Sequence, residues 1–273
     1  AIDSLTNIYL DWISESKIIK TNLWSSELSK LSANAFLAQK VSSINSLSAL
    51  CEVTGANVSE VSRAVGMDLR IGKDFLKAGP GFGGSCFKKD ILNLIYISKF
   101  YGLQEVASYW KSVLEINTWQ QKRISKIIIT QLFGNLSNKK IGILGFAFKA
   151  NTNDTRESPA LYLCKDLLEE GAQLTIFDPK VSNEKIISDL QNINSNKNQK
   201  NENTKASDTL YEVGINSDAI IILTDWDEFK DIDWKRIDNT MRSPAWVFDC
   251  RNIIKKADIE NTNLNLWQLG NTS

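Results

Sequence analysis

Apolar residues recur at three- and four-residue steps through the first half of the chain, a spacing typical of amphipathic helices. This pattern predicts helices over Asp3–Ile13, Trp24–Leu50, Ser59–Val65, Phe87–Phe100 and Gln104–Phe133. At 1.5 Å per residue, the last of these would be roughly 45 Å long. The two longest helices carry more apolar surface than a chain of this size buries, so we expect a second subunit to cover part of it.

After residue 135, short apolar runs alternate with helical segments. Strands are predicted at Lys140–Leu144, Gln173–Phe177, Ala219–Leu223 and Trp246–Phe248. Ser158 and Pro159 suit the N-cap and first position of a helix over Ala160–Glu170, and Gly171 suits its end. Strands separated by helices predict parallel β-α-β units. The segment Gln191–Ser207 is rich in Asn, Lys and Ser, which predicts a mobile surface loop.

Composition limits the possible functions. The 273 residues suit two domains, and 32 basic residues balance 32 acidic ones, so neither a nucleic-acid surface nor an anionic-membrane anchor is expected. No apolar run reaches the roughly 18 residues of a membrane span, and no secretory signal is visible. Four cysteines without a CxxC pair favour reduced thiols in the cytoplasm.

The chain contains no histidine. This excludes Ser-His-Asp and Cys-His catalysis within the chain, together with any zinc site that uses histidine, and no metal is expected. The remaining candidates for chemistry are Cys, Lys, Asp, Glu and Asn. An alcohol dehydrogenase that works with a cysteine and a lysine satisfies this restriction.

The segment Gly79–Asp90 reads GPGFGGSCFKKD and predicts a glycine turn that opens into a helix at Cys86. A thiol at a helix N-terminus meets the positive end of the helix dipole, which favours the nucleophilic thiolate. Lys88 and Lys89 add positive charge nearby. Asp90 lies one helical turn past Cys86, so both side chains could reach one substrate. The alternative is a buried cysteine that serves only packing.

Gly81–Asp90 resembles the catalytic-cysteine signature of the nucleotide-sugar dehydrogenase family, and within it the members that oxidise UDP-glucose. Further blocks resemble the same family in the same order: Asn22–Lys40, Gly66–Lys77, Gly142–Ser158 and Phe248–Arg251.

The resemblance implies an α/β protein in three parts. Residues 1–22 resemble the end of an NAD-binding domain. Residues 23–135 resemble an all-helical central domain that dimerises and carries the catalytic cysteine. Residues 136–273 resemble a Rossmann-like UDP-sugar-binding domain with a parallel sheet. The family's N-terminal Rossmann domain, which binds NAD and supplies a catalytic glutamate, is not found in this sequence, so we expect a truncated chain.

Lys30 and Asn34 are four residues apart on a predicted helix and share a face. A lysine on a helix is usually solvated, but the resemblance implies that both residues are catalytic and touch the substrate. Lys30 would stabilise oxyanions, and Asn34 would hold an ordered water or oxygen. Cys86 is the implied nucleophile, and Asp90 is expected to orient or activate water.

The resemblance assigns further residues to ligands. Arg70 is expected to reach into the neighbouring subunit's site, and the loop over 77–83 to wrap the UDP-sugar with its N–H groups. Substrate contacts are implied at Lys30, Asn34, Arg70, Phe75, Lys77, Phe82, Gly83, Phe148, Lys149 and Arg251. Contacts with NAD are implied at Cys86, Lys89 and Arg156.

Three positions depart from the simplest patterns. Ala147 replaces the second glycine of a G-x-G-x-x-G turn, so that turn is a weak dinucleotide fingerprint. Asp178 stands where a ribose-binding acid would, but a structural cap before Pro179 is equally compatible. Cys250 departs from the family that the chain resembles, in which glycine is more familiar at this position, and we expect the cysteine to face the cleft and crowd the sugar pocket.

The implied reaction is the NAD-dependent four-electron oxidation of UDP-glucose to UDP-glucuronate through a cysteine thiohemiacetal and thioester. We expect this chain to bind the substrate as a homodimer or higher homo-oligomer, without turnover. The alternatives are another nucleotide sugar, such as UDP-N-acetylmannosamine or GDP-mannose, and a non-catalytic binding or oligomerisation module.

Overall fold

The computed structural model describes residues 1–193 and 203–272. Its α-helices are α1 (Ile2–Leu10), α2 (Leu23–Thr54), α3 (Val58–Gly66), α4 (Phe87–Phe100), α5 (Gln104–Gln131), α6 (Pro159–Glu169), α7 (Asn183–Ile193), α8 (Trp234–Asp238) and α9 (Lys256–Ile259). Its strands are β1 (Lys140–Leu144), β2 (Gln173–Phe177), β3 (Thr204–Ala206), β4 (Ala219–Ile222), β5 (Ala245–Asp249) and β6 (Leu264–Gln268). The predicted helical region followed by a parallel sheet is confirmed.

Helices α2, α4 and α5 form the helical part. Helix α2 begins after Asn22, whose side-chain oxygen accepts a hydrogen bond from the Ser25 N–H at 2.8 Å, and it ends at Gly55 in a left-handed conformation. A small apolar core lies between the three helices and includes Ala35, Ile91 and Val113. Because this core takes one face of each helix, the opposite faces remain exposed.

The strands form one parallel sheet in the order β3-β2-β1-β4-β5-β6. Strand β1 pairs with both β2 and β4, so the strand order reverses between β1 and β4. In open parallel sheets, ligands bind beyond the carboxyl ends of the strands at such a point. The expected binding site is therefore at the carboxyl end of the sheet, among the residues that follow β1, β4 and β5.

A larger core joins the sheet to the helical part. The C-terminal halves of α2 and α5 contribute Ile44, Cys51, Ile124 and Ile128 to the same buried cluster as the strands. The two long helices thus belong to both regions, and they fix the helical part against the sheet. Within residues 1–193 and 203–272, no helix combines the length and apolar character needed to cross a membrane.

Local signals at helix ends were read correctly from the sequence. Cys86 is the N-cap of α4, and the Ser158 hydroxyl accepts a hydrogen bond from the Ala160 N–H at 3.2 Å, with Pro159 as the first residue of α6.

The prediction of a loop over Gln191–Ser207 is wrong at both ends. Helix α7 continues to Ile193, and Thr204–Ala206 pairs with β2 as an edge strand. Residues 194–202 lie outside the described residues. Strand β6, at the other edge of the sheet, was not predicted either.

Candidate active site

The glycine turn before Cys86 lies directly against the segment between β1 and α6. A Cβ on Gly83 would meet the Phe148 side chain at 2.9 Å and would collide with the carbonyl oxygen of Glu157. Gly84 has φ 81°, and its N–H donates to the Arg156 carbonyl oxygen at 2.8 Å. Only glycine allows this approach, so the turn that presents Cys86 is built on the sheet domain.

Three buried amide side chains hold the loop that leads into the turn. Asn45 accepts a hydrogen bond from the Gly79 N–H at 2.9 Å, and Gln120 donates to the Gly79 carbonyl oxygen at 3.0 Å. Asn117 accepts from the Phe82 N–H at 2.8 Å and donates to the Phe82 carbonyl oxygen at 3.2 Å. Helices α2 and α5 therefore fix the backbone of this loop.

These contacts correct one expectation. The N–H groups over 77–83 were expected to face the sugar and phosphates, but those of Gly79 and Phe82 donate to protein side chains. The sequence predicted no role for Asn45, Asn117 or Gln120. A polar residue at a core-facing position was the available signal for Asn117.

Cys86 is the one exposed cysteine among the four. The hydroxyl of Ser85 lies 3.8 Å from its sulfur. Cys51 and Cys164 are buried. The expectation that Cys250 faces the cleft is wrong, because its side chain is 0% exposed in the large core. Burial is the main cause that raises the pKa of the Cys250 thiol well above its ordinary value.

Lys30, Asn34 and Asp90 meet one helical turn beyond Cys86. Both Lys30 Nζ and Asn34 Nδ2 donate to Oδ2 of Asp90, the latter at 2.6 Å. Asp90 is only 1% exposed, whereas the Lys30 side chain is half-exposed. Burial opposes ionisation of Asp90, but these hydrogen bonds and the charges of Lys30 and Lys89 hold its pKa below the ordinary value.

Three phenylalanines line the approach to the turn. The Phe87 ring lies 6.2 Å from the Phe75 ring and 5.7 Å from the Phe82 ring, measured between centroids. Phe82 is buried, but Phe75 is exposed and has φ 62°. A residue with a Cβ rarely adopts this conformation, so the local structure must impose it.

Lys77 and Arg251 meet at the carboxyl ends of β4 and β5. Lys77 Nζ pairs with Asp225 Oδ2 at 2.8 Å, and Arg251 Nε donates to the Leu223 carbonyl oxygen at 2.6 Å. Burial opposes ionisation of Asp225, but the charge of Arg251 and the hydrogen bond from Lys77 hold its pKa below the ordinary value. Two cations therefore lie beside one carboxylate at this end of the sheet.

Phe148 and Lys149 follow β1 at the same edge. Lys149 Nζ lies 5.5 Å from the centroid of the Phe148 ring, and the Phe148 carbonyl oxygen accepts a hydrogen bond from Arg251 Nη2 at 3.4 Å. The Lys149 side chain is exposed at this edge. Phe148, Lys149 and Arg251 are thus neighbours.

The two lysines after Cys86 have different surroundings. Lys88 Nζ pairs with Glu157 Oε2 at 2.8 Å, so its charge is largely compensated. Lys89 is exposed. Arg156 makes a two-point contact with Asp154, with its Nη2 at 2.8 Å and its Nε at 2.9 Å. Lys88 and Arg156 line the same open cavity of about 620 Å³ in front of α4.

Arg70 stands apart from this group. It lies in the loop after α3, its side chain is 89% exposed, and it pairs with Asp68 at 2.6 Å. Its expected reach into a neighbouring subunit stays a prediction.

The turn after β1 is filled by the protein's own carboxylate. Oδ2 of Asp178 accepts hydrogen bonds from the N–H groups of Phe146 at 2.7 Å and Ala147 at 2.9 Å, and from Trp226 Nε1 at 3.2 Å. In dinucleotide-binding folds, N–H groups at this turn bind the pyrophosphate. Of the two alternatives for Asp178, the structure favours the structural cap.

Comparisons with known proteins agree with this architecture. Residues 24–119 match the central domain of the UDP-glucose/GDP-mannose dehydrogenase family, and residues 142–256 match its UDP binding domain. The chain belongs to the UDP-glucose/GDP-mannose dehydrogenase family. The UDP-glucose 6-dehydrogenase of Drosophila melanogaster is 51% identical over 272 residues, which cover 99% of this chain and 57% of that protein.

Solved structures of the family share the fold. A UDP-glucose dehydrogenase from Pyrobaculum islandicum superposes with a TM-score of 0.75 and 29% identity, over 91% of this chain and 51% of that one. A UDP-D-ManNAc dehydrogenase from Pyrococcus horikoshii superposes with a TM-score of 0.78 and 26% identity, over 98% of this chain and 57% of that one. The chain therefore spans little more than half the length of these family members.

Proposed function

We propose that this chain carries the UDP-sugar-binding surface and the nucleophilic cysteine of a UDP-glucose 6-dehydrogenase. The whole enzyme would oxidise the C6 alcohol of UDP-glucose to the carboxylate of UDP-glucuronate, with two NAD as electron acceptors. One observation carries the proposal: the single exposed thiol stands at the start of α4, whose first turn holds Asp90 against Lys30 and Asn34.

Cys86 supplies the covalent chemistry. Its sulfur adds to the C6 aldehyde, a C–S bond forms, and the carbonyl oxygen becomes the oxyanion of a thiohemiacetal. Oxidation of this adduct gives a thioester. Attack of water then breaks the C–S bond, releases the carboxylic acid and returns the thiol. The covalent bond keeps the reactive aldehyde in the site between the two oxidations.

Lys30, Asn34 and Asp90 handle charge and water. The half-exposed ammonium of Lys30 stabilises the oxyanions, and Asn34 orients an oxygen atom. Because hydrogen bonds hold the pKa of Asp90 low, this residue stays a carboxylate at neutral pH. A weak base of this kind is better suited to orienting the attacking water than to removing its proton in a separate step.

The substrate's diphosphate and sugar are proposed to lie at the carboxyl ends of β1, β4 and β5. Lys77, Lys149 and Arg251 bring positive charge to that end of the sheet. Phe75 and Phe82, whose rings both lie near that of Phe87, border the turn. Cations that surround a diphosphate form charge-assisted hydrogen bonds, which are stronger than neutral ones.

The residues of this chain could hold only part of NAD. Lys89 and Arg156 could contact it beside Cys86, but the turn after β1 does not fit a pyrophosphate because Asp178 occupies its N–H groups. When bound elsewhere in the whole enzyme, NAD would accept the hydrides. We therefore expect the chain alone to bind UDP-glucose without turnover.

Another nucleotide sugar is the second candidate. The fold similarity to a UDP-D-ManNAc dehydrogenase favours this reading, whereas 51% identity to a UDP-glucose 6-dehydrogenase favours UDP-glucose. A module that only binds ligands or partners is the third candidate.

We further propose a cytoplasmic homodimer built on α2. Leu28, Phe36, Leu47 and Leu50 are exposed and fall on one face of this helix at 100° per residue. A second copy that covers this stripe would bury apolar surface that the single chain leaves in water.

Titration calorimetry with the purified chain tests the proposal. UDP-glucose should bind measurably, more tightly than UDP-N-acetylmannosamine or GDP-mannose, and UDP-glucose with NAD should yield no NADH. Undetectable binding at millimolar UDP-glucose would contradict the proposed substrate site. NADH formation by the chain alone would contradict the inference that this chain contacts only part of NAD.

A further inference from the structure

We propose that Glu157 is a positioning residue, which holds the Cys86 turn and the first turn of α4 in the geometry needed for attack on the substrate. The proposal rests on the proposed function for its kinetic consequence, and on geometry alone for its structural one.

The first observation is the place of Glu157 in the chain. Its own carbonyl oxygen closes the space beside Gly83, and the preceding residue, Arg156, accepts the hydrogen bond of the Gly84 N–H at 2.8 Å. The backbone of residues 156 and 157 therefore forms the surface on which the turn before Cys86 rests.

The second observation is the conformation of Glu157. Its φ of 53° lies in the left-handed region, which side chains with a Cβ rarely adopt. Ser158, the next residue, caps α6. Glycine would satisfy this backbone position with less strain, so the presence of glutamate points to a use for its side chain.

The third observation supplies that use. The Glu157 carboxylate accepts hydrogen bonds from Lys88 Nζ at 2.8 Å and from the Tyr162 hydroxyl at 2.5 Å. Lys88 lies in the first turn of α4, two residues past Cys86, and Tyr162 lies on α6. Lys88 Nζ is also 5.8 Å from the centre of the Tyr162 ring. One carboxylate thus ties the nucleophile's helix to the sheet domain.

The charge state of the cluster supports this role. Burial opposes ionisation of Glu157, but the hydrogen bonds from Lys88 and Tyr162 hold its pKa below the ordinary value. Burial and the neighbouring carboxylate raise the pKa of Tyr162. At neutral pH the cluster therefore contains a carboxylate, an ammonium and a neutral phenol, each able to make its contact.

Hydrogen exchange on this chain tests the geometry without any reaction. Glu157→Gly relieves the backbone strain but removes the carboxylate, so exchange over residues 82–90 should rise about tenfold or more while α2 is unchanged. Exchange over the same residues should rise less in Glu157→Gln, because glutamine keeps an oxygen that accepts the hydrogen bond from Tyr162. Glu169→Ala is the matched control, since it removes a carboxylate of α6 that pairs at 3.5 Å with Lys165. Unchanged exchange in Glu157→Gly would overturn the proposal.

Kinetics of the whole enzyme test the consequence. In Glu157→Gly, kcat should fall about tenfold or more, because small misplacements of a reacting group are costly. The KM for UDP-glucose should stay within about threefold, and Glu157→Gln should recover part of kcat. A raised KM with unchanged kcat would assign Glu157 to binding instead. If the wild-type enzyme does not oxidise UDP-glucose, the proposed function fails, and hydrogen exchange still decides the role of Glu157.

Discussion

Lys77 Nζ lies 2.8 Å from Oδ2 of Asp225, and this ion pair fastens the loop before the cysteine turn to the end of β4. The charge of Arg251 acts on the same carboxylate. A single partly buried acid therefore orders two of the cations that we propose for substrate binding.

Asp225→Asn should lower the free energy of unfolding by about 1.5 kcal/mol at pH 7, because the charged hydrogen bond is lost. The pKa of Asp225 is lowered in the folded state, so its contribution is present above the ordinary value of 3.8 and disappears as the pH falls below it. Urea unfolding from pH 7 to about pH 3 measures this. Asp227→Asn is the control, since Asp227 is exposed and pairs with Lys230. Equal decreases in the free energy of unfolding of the two variants would contradict the special role of Asp225.

Lys30→Met should destabilise the protein more than Asp90→Asn does. The lysine substitution leaves a buried carboxylate with its amide partner only, at a cost of about 2 kcal/mol, whereas asparagine removes the charge itself. Thermal unfolding of both variants and of the double variant measures the coupling. The double variant should be more stable than Lys30→Met alone. Additive losses would mean that the pair does not interact.

Limiting iodoacetamide near neutral pH should label Cys86 first. Its side chain is exposed at the start of α4, whereas Cys51, Cys164 and Cys250 are buried. Peptide mapping measures the order of labelling, and Cys86→Ser should abolish the early adduct. Early labelling of Cys51, Cys164 or Cys250 would contradict the burial described above.

Arg251→Ala and Lys149→Ala should both weaken UDP-glucose binding. Arg251→Ala should lower the affinity about tenfold or more, because Arg251 is partly buried at the strand ends. Lys149→Ala should lower the affinity less, because Lys149 is exposed. Calorimetry measures both, and circular dichroism checks that Arg251→Ala folds. Lys256→Ala, on α9, is the control. Unchanged affinity in Arg251→Ala would remove this edge of the sheet from the proposed site.

Light scattering at micromolar concentration should give twice the 30.7 kDa mass of one chain. Leu50→Asp places a charge on the exposed stripe of α2 and should shift the protein toward the monomer. Ser16→Asp, on the exposed segment before α2, is the control for one added negative charge. A monomeric wild-type protein would contradict the proposed dimer.

The sequence predicted the helical part of the fold well, because α2, α4 and α5 each bury one face and so keep a helical period of apolar residues. The central strands β1 and β4 are almost entirely buried and read as apolar runs. Strands β3 and β6 were missed because each pairs with a neighbour on one side only. Such edge positions tolerate polar residues, as in Thr204–Ala206.

The site was harder to read from local pattern. The contact between Lys30 and Asp90 joins positions 60 residues apart, and no periodicity links them. Family resemblance grouped these residues, but their roles await the tests above. Neither pattern nor resemblance indicated Asn45, Gln120 or Glu157, because each acts through a contact between residues far apart in the sequence. Asn45 and Gln120 contact the loop at Gly79, and Glu157 contacts Lys88 across the boundary between the sheet domain and the helical part.

The carboxylate of Asp178 has a consequence for selectivity. A parallel sheet of this strand order would normally offer free N–H groups to any nucleotide that reaches its first turn. Here an arriving phosphate would meet negative charge and donors that are already satisfied. The turn after β1 therefore selects against phosphate groups, and we expect a ligand at this end of the sheet to place its phosphates beside the cations at the neighbouring strand ends.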